Sequence, residues 1–365
     1  MTRTIFTSFS LSFAAALVLS AQPTTMPAMP AFPSTSTNTT TSNSGSHVLA
    51  FGTGSGEVYN VDPKAPGTLT RYFQDRIGSF VTGLVPLNNQ LNSLLVTTLE
   101  DGLLLLDNQS QFSQAQHASR NPAPLIRSVV PLSVSEGAPY SAIFGSYRTP
   151  YGILTNLSSL NYHEVYRNDV SMDFDQDPSR TIYGCPELAL GDVLYCNDEV
   201  TNTMWEIPMQ QGAPQWGSRK VFFKDAIIRG MVVYHGNLYV TVVGVNPGQQ
   251  GIVLQISRAL FGTSVRQVKT MQPLGFFPDP STTTAMVIDD GRLFLVSDFY
   301  SQNGQHPDFL GQGILSYKLD QVTGEIQGSP DIIVSPAILP RRLINAITPL
   351  PYRPAFGPPL PSVRP

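Results

Sequence analysis

Two arginines stand in matching settings. Arg127 lies in the run IRSVVPL and Arg229 in IIRGMVVY, each just ahead of a small residue, Ser128 or Gly230. A guanidinium presents a planar fork of donors suited to a carboxylate or a phosphate, so two of them converging would make an anion site. Each could equally pair with a carboxylate of the chain, and Asp198, Glu199, Asp225 and Asp298 are candidates. Asp173, Asp175 and Asp177 alternate in MDFDQDP as the start of a calcium loop does. The turn glycine and closing glutamate of such a loop are absent and Pro178 follows, which favours a solvated acidic loop. His306 and Asp308 in FYSQNGQHPDFLGQ could act as base and partner, but no Ser or Cys stands at a nucleophile elbow. A surface lid is the expectation there. Two cysteines and five histidines leave little for a Cys/His zinc site.

The elements that would position the arginines are strands. Ile228–Ile256 reads as a meander: Met231–Tyr234, a His235-Gly236-Asn237 turn, Leu238–Val243, a Gly-rich connection and Ile252–Ile256, followed by a fourth strand at Val265–Thr270. The same unit recurs along the chain. Residues 80–117 hold VTGLVPL, SLLVTTL, GLLLLD and FSQAQH, and residues 126–166 hold IRSVVPL, YSAIFGS, GILTN and YHEVY. Next come YGCPELALGD, VLYCNDE, TMWEIP and KVFF; after the reference unit come TTAMVIDDG, RLFLVSD, GILSYKL and a strand within Ile326–Val334. The first unit, from His47, has only His47–Thr53, Glu57–Asp62 and Leu69–Gln74. No helix follows its Gly52–Gly56 run, so a hairpin turn is expected there and not a phosphate loop.

The missing first strand is supplied at the other end, where Leu343–Pro351 (LINAITPLP) matches a first strand with nothing after it. Six units result, one assembled from both ends, with a repeat near the propeller range of about 40–50 residues. The expectation is an all-β, six-bladed β-propeller closed by pairing one C-terminal strand with three N-terminal ones. In such a ring the innermost strands line the channel, and their entrances share a face with the loops joining second and third strands. Aligning the first strands on Gly83, Ser128, Cys185, Gly230, Ala285 and Ala346 places Thr82, Arg127, Gly184, Arg229, Thr284 and Asn345 just before them. Cys185 and Cys196 fall on the first two strands of the fourth unit, either side of the Gly191-Asp192 turn. Their spacing leads us to expect a disulfide, with two buried thiols as the alternative.

Composition bounds the rest. With 365 residues, 41% hydrophobic, 13% charged, 29 Gly and 31 Pro, the chain suits a large, turn-rich β protein. A net charge of −4 without a basic cluster gives nucleic acid no electrostatic footprint. Residues 1–21 read as a secretory signal peptide, with Arg3 ahead of an apolar run and Ser20-Ala21 before Gln22. No later stretch is apolar enough to span a bilayer, so a secreted, extracellular protein is expected. Residues 22–46 are Ser/Thr/Pro-rich and read as a disordered linker like an O-glycosylated stalk. Asn38, Asn108 and Asn156 begin glycosylation sequons, residues 47–352 form the propeller, and 353–365 read as an extended Pro-rich tail.

The strand pairs AMVIDDGRLFLVSD and GMVVYHGNLYVTVV resemble those of the six-bladed senescence-marker/gluconolactonase-like superfamily, over roughly His47–Pro351. That resemblance implies the fold and a calcium lactonase or esterase activity, with Glu, Asn and Asp ligands at the entrances of the inner strands. Of the ring residues only Asn345 matches in type, and arginines occupy two of the positions. A divalent ion beside two guanidiniums is electrostatically disfavoured. The expected function is therefore a non-catalytic, monomeric binding module for a small anion, glycan or extracellular protein, with no cofactor. The alternative is a lactonase- or esterase-like hydrolase with a rearranged calcium site.

Overall fold

Short apolar runs rich in Val, Ile, Leu and Tyr, broken every few residues by Gly, Asn or Asp, leave the chain little choice but antiparallel strands joined by tight turns. A computed structural model of the chain describes residues 48–72, 80–87, 93–99, 102–106, 115–117, 126–132, 141–146, 152–154, 184–198, 201–210, 213–224, 227–235, 237–243, 250–256, 268–276, 285–301 and 308–350. Outside the described residues lie the expected signal peptide and linker, Asn38, Asn108, Asn156, the Asp173–Asp177 run, Glu199, Asp225, Thr284, His306 and the Pro-rich C-terminal segment.

The described residues form six antiparallel sheets, taken in chain order. The first holds β1 (Val48–Thr53), β2 (Val58–Val61) and β3 (Leu69–Arg71). The second is β4 (Val81–Pro86), β5 (Leu94–Thr98), β6 (Gly102–Leu106) and β7 (Ala115–His117). Strands β8 (Ile126–Leu132), β9 (Ser141–Ser146) and β10 (Gly152–Leu154) make the third, and its expected YHEVY strand lies outside the described residues. The fourth sheet comprises β11 (Gly184–Leu190), β12 (Val193–Asp198), β13 (Thr203–Gln210), the short β14 (Ala213–Pro214) and β15 (Lys220–Phe223), the last two both pairing with β13. The fifth is β16 (Ile227–Tyr234), β17 (Asn237–Val243), β18 (Gln250–Ile256) and β19 (Val268–Phe276). The sixth is β20 (Met286–Asp289), β21 (Arg292–Tyr300), β22 (Phe309–Leu319) and β23 (Ile326–Val334). Strand β19 runs further toward the C-terminus than the expected Val265–Thr270, because its ladder with β18 continues to Gln250↔Phe276.

The final strand, β24 (Ile344–Leu350), pairs antiparallel with β1, from Val48↔Leu350 to Thr53↔Ile344. It completes the first sheet in the order β24-β1-β2-β3. The first strands of successive sheets touch in turn: β24 with β4, β4 with β8, β8 with β11, β11 with β16, β16 with β20, and β20 with β24.

The core lies between sheets, in layers. Period-two alternation makes each strand serve two layers. On β1, Val48 and Ala50 pack with Val81, Leu94 and Val96 of the second sheet. Leu49 and Phe51 pack with Phe294, Val296 and Ile314 of the sixth. Further layers join the third and fourth sheets through Val130, Leu194 and Ile207, the fourth and fifth through Tyr195, Met204 and Val240, and the fifth and sixth through Tyr239, Leu293 and Tyr317. Turn chemistry follows the ladder: Asp290 and Gly291 take φ of 46° and 69° between the paired Asp289 and Arg292. That is the two-residue reversal whose twist suits a hairpin.

The disulfide expected between Cys185 and Cys196 is corrected by the register. From the Gly191-Asp192 turn the ladder runs Leu190↔Val193, Ala189↔Leu194 and Leu188↔Tyr195, and after one extra residue continues with Pro186↔Cys196 and Cys185↔Asn197. Cross-strand disulfides link residues whose Cβ atoms face each other, and the residue facing Cys196 is Pro186. Cys196 is a buried thiol.

Candidate functional site

On four of the first strands the ladder with the neighbouring strand is interrupted near its start. In β4, Val81 pairs with Thr98 and Gly83 with Thr97, leaving Thr82 as an extra residue. In β8, Ile126 pairs with Ser146 and Ser128 with Gly145, leaving Arg127. In β16, Ile228 pairs with Val242 and Gly230 with Thr241, leaving Arg229. In β24, Ile344 pairs with Thr53 and Ala346 with Gly52, leaving Asn345. These are β-bulges, one on each strand, a device that bends a strand and re-aims the extra side chain.

The fourth sheet differs from expectation. Gly184 opens β11 opposite Asp198 in regular pairing, and the extra residue is Glu187, between Pro186↔Cys196 and Leu188↔Tyr195. The bulged residues are thus Asn345, Thr82, Arg127, Glu187 and Arg229 on β24, β4, β8, β11 and β16, five strands that touch consecutively. Two are cationic, one is anionic, and the neutral pair carries an amide and a hydroxyl. Arg229 and Asn345 are buried, while Thr82 and Glu187 are half-buried. The Thr82 hydroxyl lies 3.0 Å from that of Thr97 on the neighbouring β5.

Small residues beside the bulges let adjacent strands close in. A Cβ on Gly83 would lie 2.6 Å from Val129 Cγ1 and 2.7 Å from Thr97 Oγ1. A Cβ on Gly52, opposite Ala346, would lie 2.1 Å from Val81 Cγ1.

Two polar clusters at the same end tie the closing strand in place. Glu57, almost buried, accepts a hydrogen bond from Thr53 Oγ1 at 2.8 Å and another from the Ser55 hydroxyl. Its other oxygen faces Arg342 Nη2 at 3.5 Å, an ion pair between the first hairpin and the lead-in to β24. In the sixth sheet, Gln312 Nε2 donates to Asp298 Oδ1 at 2.8 Å, while Gln312 Oε1 accepts from the Ile344 amide at 2.7 Å. The acid is thereby linked to the residue just before the bulged Asn345.

Asp298 was a candidate partner for the arginines, but its carboxylate is held by two neutral groups, Gln312 and the Tyr300 hydroxyl at 3.4 Å. Burial pushes it from the usual 3.8 up to about 6, and those two hydrogen bonds only partly offset the rise. Burial first, then the Asp298 charge, raises Tyr300 as well. Asp198 caps its own turn, accepting from Thr201 Oγ1 at 2.6 Å and from the Thr201 amide at 3.3 Å. Asp308 is exposed, and its amide donates to Ser301 Oγ at 3.1 Å, closing the base of the loop that carries His306.

The raised Asp298 gives a pH prediction. A carboxyl whose folded pKa exceeds its unfolded value favours the fold while protonated, so its contribution is full below about pH 4 and lost as pH rises through 6. Asp298→Asn keeps both hydrogen-bond partners and cannot ionise. It should be more stable than the parent above pH 7 by about 2–3 kcal/mol, with no difference in slope below pH 4. Urea melts at stepped pH read both features, and parallel profiles for the two proteins would refute the assignment.

Comparison with known proteins places the fold and no more. No family model matches the chain, and no curated protein matches it. Among solved structures, a chain of the nidogen/laminin complex superposes with a TM-score of 0.52 at 10% identity, covering 83% of this chain and 98% of that one. An alpha-L-arabinofuranosidase from Clostridium thermocellum gives 0.43 at 12% identity, covering 74% and 97%. The dihydro-heme d1 dehydrogenase NirN in complex with DHE gives 0.37 at 14% identity, covering 85% and 56%. These neighbours are β-propeller proteins, and the chain shares that fold with the first of them.

Proposed function

We propose that the six sheets are the blades of a six-bladed propeller, and that its bulged residues surround a pocket which binds a small anionic or glycan ligand without transforming it. One observation carries the reading: on four of the first strands the ladder breaks directly before a small residue, and two of the extra residues are arginines. Bulges concentrate beside binding sites because they turn a side chain out of the ladder's plane. A shared break on these strands is hard to account for by sheet twist alone. In a low-dielectric mouth a guanidinium fork holds a carboxylate or phosphate far better than it would in water. The leader-like N-terminus makes the setting extracellular in this reading, with the protein acting as a monomer.

The extra residue of the intervening β11, Glu187, lies three pairs from its turn against five on β8 and β16, so its carboxylate does not stand at their level. Calcium prefers several oxygens, mostly anionic, and meets two cations here. Calorimetric titration with acetate, sulfate and calcium separates the readings. Anion heat should appear in the parent and weaken at least tenfold in Arg127→Ala and Arg229→Ala, about 1.4 kcal/mol or more. Arg229→Lys, which keeps the charge and loses the fork, should fall between. Calcium binding that survives mutation of Asp173, Asp175 and Asp177 but vanishes in Asn345→Ala would instead favour the hydrolase.

A further inference from the structure

We propose that the first sheet binds one internal water molecule between Asn60 on β2 and Thr70 on β3, and that this water pins the short outer strand in register. The two residues are direct partners across the ladder, Asn60↔Thr70, and both are buried, at 1% and 8% exposure. Three side-chain atoms there, Asn60 Nδ2, Asn60 Oδ1 and Thr70 Oγ1, have no hydrogen-bond partner among the described residues. Side chains directly opposite on antiparallel strands stand about 4.5–5.5 Å apart at Cβ, close enough for one small molecule to meet both. Burying an amide and a hydroxyl unmet is costly, so such groups are met by protein or by ordered water.

The surroundings set the chemistry of the ligand. Asn60 also lies opposite Ala50 on β1, which contributes only a methyl to the row. Ala50 belongs with Val58, Leu94, Leu104 and Leu106 to the apolar layer between the first two sheets. Those side chains offer no counter-charge, so a bare ion would be left uncompensated. The ligand must therefore be neutral, able both to donate and to accept, and small enough for a closed site. Water meets all three conditions, and an internal water typically makes about three hydrogen bonds. The bridge matters because β3 is held by few ladder pairs, Tyr59↔Arg71, Asn60↔Thr70 and Val61↔Leu69. A slip of one residue would turn Thr70 onto the opposite face and away from Asn60.

A crystal structure of the parent, at a resolution that shows ordered water, is the first test. The expected result is a peak within hydrogen-bonding distance of both Asn60 and Thr70. Asn60→Leu and Thr70→Val each remove one side of the bridge, and each should lower the melting midpoint by about 2–4 °C. The double variant should fall by clearly less than the sum, since the second change removes a partner of a water already lost. A direct bond between Asn60 and Thr70, or no peak touching both, overturns the proposal. So do strictly additive losses, and so does a rise in both single variants, which would mean that the polar atoms sit dry. Should the variants fail to fold, the parent density alone decides.

Discussion

Deletion of everything after Arg342 is expected to unfold the protein, although it removes a single described strand. That strand is β24, and β1 would lose its whole ladder on one side, from Val48↔Leu350 to Thr53↔Ile344. The buried side chains of Ile344, Ala346, Ile347 and Leu350 go with it. Burying a large aliphatic side chain stabilises by about 1.5–3 kcal/mol, so three of them approach the total stability of a typical domain, about 5–15 kcal/mol. Losses continue on both flanks. Ala346 and Leu350 belong to the layer against the second sheet, and Ile344 and Ile347 to the layer against the sixth. Gln312, at 1% exposure, would lose the Ile344 amide and keep a buried, unmet acceptor. The truncated chain should show no cooperative melt, with strand signal lost or aggregated. A truncation that melts with the parent would mean that β24 does not close the ring.

Gly83→Val should cost about 3 kcal/mol or more, the upper end of what overpacking does, and it also crowds the Thr97 hydroxyl that meets Thr82. The new Cβ would meet Val129 on β8 and Thr97 on β5, and it also falls 3.1 Å from the Val129 backbone nitrogen. Backbone cannot rotate aside as a side chain can, so β4 and β8 must separate. The bulges at Thr82 and Arg127 lie directly before Gly83 and Ser128, so the same separation should weaken anion binding. Gly217→Ala is the control, since nothing lies within 4 Å of a Cβ there, and it should melt within about 0.5 kcal/mol of the parent. Equal melts for the two variants would show that the first strands are not packed as closely as described.

Why some ring positions were legible and one was not comes down to this crowding. Gly83, Ser128, Gly230 and Ala346 are all small and each follows a bulge, at Gly83 because the neighbouring strands leave no room for a Cβ, and a small residue in an apolar run can be seen in sequence. In β11 the bulge falls nearer the turn, before Leu188, so Gly184 holds the aligned position in regular pairing with Asp198. Glu187 thereby escaped notice, although an acid inside PELAL on a first strand was its one available signal. The same bulge upset the pairing of the cysteines, since an extra residue shifts the register by one and sets Pro186 opposite Cys196. Strand order and closure were readable because they depend on local alternation and on one orphan strand. The Glu57–Arg342 pair and the Asp298–Gln312–Ile344 chain were not, because they join residues far apart in sequence through side chains whose reach no local pattern encodes.

The most direct test of the anion pocket is diffraction at the bromine edge from crystals grown in bromide in place of chloride. Bromide is a monoanion and reports its position without any assumption about the natural ligand. The expected result is an anomalous peak at the bulged level of β8 and β16, within hydrogen-bonding reach of the Arg229 guanidinium, and absent from Arg229→Ala crystals. Bromide found only on exposed lysines and arginines away from that level, with the bulged ring empty, would contradict it.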